Sequence, residues 1–251
     1  MPDHKLKRPL EIILLCGGRG ERLYPLTNSI PKPLVKIRGK PILSYIIEHL
    51  AKYDLQNLII TAGYKADRIS DFIQENYSGS GFRVVDSGDV DIINRIQDSM
   101  TDVDGDFMVL YGDTIANIKI DELVSFHQSN EKPATMTVWQ PRSQFGIVDL
   151  GEKDEVQGFQ EKPKLDKWVN IGYFYFKQEL KGMLGEYDSY AEFLNALTER
   201  KLLNAFKHEG IHITINTLRE LSEAENNIDS DLLPDCDPLR GSRSGPISSS
   251  D

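Results

Sequence analysis

Cysteine is scarce in this chain of 251 residues: Cys16 and Cys236 are the only two. Two thiols build neither a disulfide framework nor a structural zinc site. Cys16 lies in an apolar run, where it reads as a small buried residue. Long hydrophobic runs are also missing. The longest are strand-sized, well short of the roughly 20 apolar residues a membrane-spanning helix needs. Lys5, Lys7 and Arg8 precede the first of them, but that run is too short for a secretory signal. A cytoplasmic protein with no membrane partner is expected, and the Asn76-Tyr77-Ser78 sequon reads as a chance match. Positive charge is in deficit too. Lys and Arg total 29 against 39 Asp and Glu, a net charge of −10. Such a field repels nucleic acid, so no nucleic-acid partner is expected. An anionic small molecule must then be met by cations gathered at one spot.

What is present is ordinary for a globular chain: 39% hydrophobic and 27% charged residues, with length enough to bury a core. Residues 10–16 (LEIILLC), 57–62 (NLIITA) and 107–111 (FMVLY) are continuous apolar runs. Each reads as a strand buried on both faces. Helical spacing is found over 41–53, which opens on proline, and over 66–75. Residues 82–85 read as a short strand and 121–128 as a helix. Strand and helix alternate, which predicts an α/β open sheet with helices on both faces. The second half differs. Residues 134–140, 145–150, 155–160 and 169–176 read as strands with short turns, an antiparallel or mixed extension. Helices are expected over 191–199 and 218–227, with a strand at 211–215. From residue 229 the chain is Ser, Asp, Pro, Gly and Arg, and reads as a disordered tail. The expected organisation is a segment 1–9, one domain over 10–228 and a tail over 229–251.

The densest signal is Cys16 to Leu34 (CGGRGERLYPLTNSIPKPL). A buried strand delivers a glycine-rich turn, then Arg22, then two prolines that bracket Lys32. Glycines let backbone N–H groups approach a phosphate closely, and Arg22 and Lys32 add charge to that cradle. No Gly-Lys-Ser/Thr follows, so this is not the P-loop. It is not the dinucleotide fingerprint either, because prolines 25, 31 and 33 prevent a helix directly after the turn. Read alone, the glycines are equally consistent with a tight strand-to-loop turn.

With the prolines and cations included, the stretch resembles the family of nucleotidylyltransferases that join an NTP to a sugar 1-phosphate. Their G-G-x-G-x-R-L-x-P-L-T and P-K-P blocks stand intact from Gly17 to Pro33. Further matches are Gly39-Lys40-Pro41-Ile42, Gly63-Tyr64, Tyr111-Gly112-Asp113, Phe145-Gly146, Phe159 to Pro163 and Asn170-Ile171-Gly172. The resemblance covers roughly 10–228. Val85-Asp86-Ser87-Gly88-Asp89 is similar to the V-D-T-G-D of the glucose-1-phosphate cytidylyltransferase branch, which favours CTP.

The resemblance implies a Rossmann-like, mixed but mostly parallel sheet with a small β extension on the acceptor side. It implies that Cys16, Gly17, Gly18, Gly20 and Arg22, with Gly63 and Asp86, Ser87, Gly88 and Asp89, bind the nucleotide. Arg22, Lys32 and Lys162 carry the chemistry, and Phe145, Gly146, Glu161, Lys162, Asn170 and Gly172 face the acceptor. Mg²⁺ is the implied cofactor, on Asp113 and Asn216. Asn216 departs from the aspartate usual in the cytidylyl and thymidylyl members. An amide oxygen serves Mg²⁺ too, while the plainer reading makes Asn216 the cap of the helix that follows. Without the family, Asp113 reads as a turn residue and Glu161-Lys162-Pro163 as a surface turn. A small phosphorylated non-sugar acceptor (phosphocholine, a phosphonate or a phosphoamide) stays open. So do a homo-oligomer and an inactive binding protein on the same fold. His208-Glu209-Gly210-Ile211-His212 spells H-E-x-x-H. A zinc protease needs both histidines on one helix, and the Ile211, Ile213, Ile215 alternation argues strand.

Overall fold

The structure, a computed structural model, describes residues 10–228 apart from residue 56. The expected segment 1–9 and tail 229–251, with Cys236, lie outside the described residues. The chain runs β1 (Glu11–Leu15), β2 (Lys36–Ile37), β3 (Lys40–Pro41), α1 (Ile42–Ala51), β4 (Leu58–Ala62), α2 (Ala66–Asn76), β5 (Arg83–Asp86), α3 (Ile92–Ser99), β6 (Phe107–Tyr111), β7 (Thr114–Ala116) and α4 (Ile120–Gln128). It continues through β8 (Ala134–Trp139), β9 (Ile147–Leu150), β10 (Val156–Gln160), β11 (Val169–Phe176), α5 (Lys181–Leu184), α6 (Tyr190–Glu199), β12 (Leu203–His208), β13 (His212–Thr214) and α7 (Leu218–Asn227).

Seven strands form one sheet in the order β12-β8-β11-β6-β1-β4-β5. β11 runs antiparallel to both its neighbours, and the other adjacent pairs are parallel. This is the mixed, mostly parallel sheet that the sequence predicts. The alternation of β1 shows how it is sandwiched. Ile12 and Leu14 point into a core closed by α1, α2, α4 and α7. Ile13 points into a second core closed by α3, α5 and α6. Covering both faces explains why β1, β4 and β6 read as unbroken apolar runs. The short pair β7–β13 is antiparallel and sets Thr114 opposite Thr214. β9 and β10 pair only with each other, an exposed two-stranded arm. Among the described residues, no helix is long and apolar enough to cross a membrane.

Besides the short β2, β3, β7 and α5, two longer elements go beyond the sequence reading. The helix α3 follows β5 and is capped by Asp91, whose side chain accepts from Ile93 N. The strand β12 adds a half-exposed edge to the sheet beside β8.

Candidate active site

β1, β4 and β6 end side by side, and the turns leaving them form the floor of a crevice, the usual ligand position in an open α/β sheet. Gly17 and Gly18 leave β1, Gly63 leaves β4, and Gly112-Asp113 leave β6. At Gly17, Gly63 and Gly112 the packing is so close that a side chain does not fit, whereas Gly18 stands open. A Cβ at Gly112 would lie 2.5 Å from Cys16 Sγ. One at Gly63 would overlap Gly88 O. Prolines 25, 31 and 33 keep the chain after the glycine turn out of an α-helix, and three single 3-10 turns follow instead. Gly20 sits at φ +63°, and Thr27 Oγ1 donates to its carbonyl at 3.0 Å. Leu23, fully buried, pins the loop to the core. Tyr64 OH donates to Thr27 O at 2.8 Å and ties the loop to the β4 turn.

This cradle opens on a pocket of about 330 Å³ between Gly17-Gly18, Lys32, the start of α3 and Asp113. At its mouth the charged residues meet. Lys32 Nζ donates to Asp113 Oδ2 and, at 2.9 Å, to Asn216 Oδ1. Arg22 Nη2 donates to the same Asn216 oxygen at 3.0 Å. The β7–β13 pair brings Asn216 here, because it registers the segment after β6 against the segment before α7. Asn216 is not the helix cap. Thr217 caps α7 in a capping box with Glu220, whose carboxylate accepts from the backbone N of both Asn216 and Thr217. The Asn216 side chain is left free to face the cations.

The segment Asp86 to Asp89 lies against the other end of the cradle. Gly88 N donates to Asp86 Oδ1, Ser87 N to Ala62 O, and Arg19 pairs with Asp89 at 2.7 Å. Hydrogen bonding to Arg19 holds the Asp89 carboxyl below its usual range. Burial raises the Cys16 thiol, so it stays protonated and is no nucleophile.

Sequence reasoning missed Arg95. It is 6% exposed, lines the pocket, and packs on Gly17 so closely that a Cβ there would overlap its guanidinium. Nε and Nη2 both donate to Val90 O, at 3.0 and 2.8 Å, and Nη1 has no partner. Only the helical pattern of Ile92, Ile93 and Ile96 signalled α3, and a pattern counts arginine as an outward residue.

The acceptor residues divide. Asn170 and Gly172 stand beside Tyr111, next to Asp113. The Asn170 side chain accepts from Gly172 N at 2.8 Å. Gly172, at φ +79°, has no room for a Cβ against the Tyr111 ring. Phe145, Gly146, Glu161 and Lys162 belong to the arm and its flanks, and Phe145 is 77% exposed. Gly146 is covered by the Phe159 ring. No hydrogen bond or ion pair joins Glu161 or Lys162 to the Lys32 cluster. At the root of the arm a wider cavity of about 770 Å³ carries Trp139, Arg142, Lys164, His212 and Thr214. The cations Arg142 and Lys164 face each other across a β-bridge there and were also missed. The H-E-x-x-H stretch spans the end of β12 and the start of β13, so its histidines share no helix turn. His208 Nε2 bonds Ile211 O at 3.0 Å. Burial, with His208 nearby, pushes His212 down to about 4.

Asp113 and Asn216 suit a hard cation. Their oxygens already converge on one positive group, the Lys32 ammonium, and a carboxylate and an amide oxygen are the donors Mg²⁺ takes from protein. Among the described residues no group of three or more His, Cys, Asp and Glu gathers as a metal cluster.

Residues 11–212 match the nucleotidyl transferase family. The chain is 30% identical over 240 residues to a Bacillus subtilis (strain 168) protein named "Probable glucose-1-phosphate cytidylyltransferase", covering 85% of this chain and 94% of that one. It is 30% identical over 241 residues to the glucose-1-phosphate cytidylyltransferase of Salmonella typhi, covering 84% and 93%. Among solved structures, HddC from Yersinia pseudotuberculosis superposes with a TM-score of 0.68 at 22% identity, covering 88% of this chain and 100% of that one.

Proposed function

The chain belongs to the nucleotidyl transferase family and is a nucleotidyltransferase, and on that premise we propose that it joins CTP to a sugar 1-phosphate and releases pyrophosphate. The observation that carries the reading is the convergence of Arg22, Lys32, Asp113 and Asn216 at the mouth of the glycine cradle. An oxygen of the acceptor phosphate attacks the α-phosphorus. The new O–P bond forms as the bond to the β-phosphate oxygen breaks, and pyrophosphate leaves with that electron pair. A phosphate dianion is already nucleophilic at neutral pH, so no general base and no covalent intermediate is required. Catalysis is then positioning and charge stabilisation.

The backbone N–H groups of Gly17 to Gly20 and the Arg22 guanidinium hold the triphosphate. Lys32 meets the α-phosphate. Asn170 and Gly172, fixed against Tyr111, face the acceptor. Glu161 and Lys162 reach it from the arm, whose two legs are joined at the root by Ser143 N to Pro163 O and Leu165 N to Pro141 O, both 2.8 Å. Asp113 and Asn216 would hold Mg²⁺, which when bound neutralises charge on the reacting phosphates.

Cytosine supports the choice of base because it offers an amino donor where uracil and thymine offer a carbonyl. Gly88 O and the Asp86 to Asp89 segment place acceptors beside Gly63. The names of the two cytidylyltransferase relatives point the same way. The test is pyrophosphate release from a panel of four NTPs against several phosphorylated acceptors. CTP is expected to exceed UTP by about tenfold or more, since a buried polar edge left unpaired is rejected strongly. Equal use of CTP and UTP, or preference for a purine, refutes the base. Turnover with phosphocholine or a phosphonate but with no sugar phosphate refutes the acceptor.

A further inference from the structure

Lys32 is assigned to the α-phosphate, yet in the free protein its ammonium is engaged elsewhere. It bonds Asp113 Oδ2 and Asn216 Oδ1 together. These are the two oxygens best suited to a divalent cation, and the lysine nitrogen stands where an ion held by both would have to stand. The pair is largely enclosed: the side chains of Lys32 and Asp113 are 11% and 31% exposed. Arg22 adds a second positive group on the same Asn216 oxygen.

We propose that Lys32 is an internal stand-in for the metal ion, which excludes a divalent cation from Asp113 and Asn216 until a nucleotide triphosphate draws the ammonium away. Charge decides it. Without nucleotide, a divalent ion entering beside Lys32 puts three positive charges against the single carboxylate of Asp113. Among the described residues Asp113 is the one carboxylate that Lys32 bonds, and the Glu220 carboxylate is spent on the backbone N of Asn216 and Thr217. Like charges at that separation in a poorly hydrated site repel strongly. A triphosphate supplies the missing anions. Lys32 then exchanges one anionic partner for another without ever standing unpaired. Nucleotide and metal binding are thereby coupled, and the coupling is reciprocal. The inference rests on the reading of the site as a triphosphate cradle, and not on the choice of base or acceptor.

The test is a titration of the full chain with manganese(II) alone, free ion followed by electron paramagnetic resonance, with no nucleotide present. Lys32→Met removes the charge and keeps the length. It is expected to bind manganese about tenfold tighter or more than the wild type, in the usual range of coupling between two ligands. Lys32→Arg keeps the charge and should show no gain. Lys32→Met combined with Asp113→Asn should lose the gain, which locates it at these oxygens. Thermal melts verify folding, and Lys32→Gln replaces the Met variant if that one melts early. A Met or Gln variant that binds manganese no tighter than wild type overturns the proposal. So does an equal gain in Lys32→Arg, which would make the effect one of packing rather than charge. Failure of the CTP and sugar reading appears separately, in the turnover panel. A chain inactive with CTP whose Lys32→Met variant still gains manganese affinity sustains this proposal.

Discussion

Replacing Asn216 by leucine keeps the size of the side chain and removes its oxygen. That oxygen accepts from two cations, Lys32 at 2.9 Å and Arg22 at 3.0 Å. Hydrogen bonds to charged groups contribute about 1.5–3 kcal/mol each when buried. Arg22 is exposed and regains water, so its share is small. Lys32 keeps Asp113. The expected loss of stability is therefore about 1–2 kcal/mol, or roughly 2–8 °C in Tm for a domain of this size. Activity should fall much further. With the amide oxygen gone, Asp113 would be the one donor of the proposed pair left to the ion, and turnover should need far more Mg²⁺. Asn216→Asp keeps the oxygen, adds charge beside two cations, and should need less Mg²⁺ than the wild type. Thr217→Ala is the control. It removes the true cap of α7, costs about 1 kcal/mol, and should leave the Mg²⁺ dependence untouched. The assay is pyrophosphate release against Mg²⁺ concentration at low temperature, alongside thermal melts of the same variants. An Asn216→Leu enzyme with wild-type Mg²⁺ dependence would remove Asn216 from the site and refute the reasoning.

Arg22→Ala should lower kcat/KM by about 10²-fold, the usual loss for one charged donor at developing phosphate charge, while circular dichroism stays native because the side chain is exposed. Gly172→Ala should destabilise by about 2 kcal/mol or more, since the residue sits at φ +79° with the Tyr111 ring in the way of a Cβ; a shift in Tm reads it, and an unchanged melt refutes it. His127 is buried, bonds Thr135 Oγ1 at 2.8 Å and stacks on Tyr175. Burial, with Lys177 nearby and Asp106 opposing, pushes it down to about 4. The unfolded chain takes up this proton near the ordinary histidine value and the folded chain does not. The stability concerned is therefore intact above about pH 6.5 and declines as pH falls toward 4. His127→Gln should flatten that slope in urea melts, and an identical pH profile for both chains counts against it.

Much of the fold was legible because three parallel strands are buried on both faces. β1, β4 and β6 show as apolar runs with little to confuse them, and each delivers its turn to the crevice. α3 was illegible for the opposite reason. It is short, and its inward side carries Arg95, a charge that periodicity assigns to solvent. β12 hid because an edge strand is half exposed, with Lys207 and Phe206 alternating weakly. At the site, sequence left Asn216 as either cap or ligand. The structure resolves the cap in favour of Thr217, through a capping box that no inspection of residue 216 alone reveals. The arm is a different case. Resemblance assigned Glu161 and Lys162 to the acceptor, but β9 and β10 pair only with each other and not with the main sheet, so no apolar pattern in the sequence ties them to the end of β6.

The acidity of the chain, which argued against anionic partners at large, takes another meaning at the cradle. Arg19 is paired with Asp89 and Lys32 with Asp113 before any ligand arrives. A cation held by a carboxylate is positioned without exposing net charge, and an arriving phosphate can replace that carboxylate. Two cations differ: Arg22 bonds the Asn216 amide oxygen instead of a carboxylate, and Arg95 is buried with no carboxylate hydrogen-bonded to it. Its charge, set beneath Gly17, acts on the cradle in every state of the others. A net charge of −10 is thus compatible with binding two anions, because what they meet is decided within one Debye length, about 8 Å at physiological salt, and not by the sum over the chain.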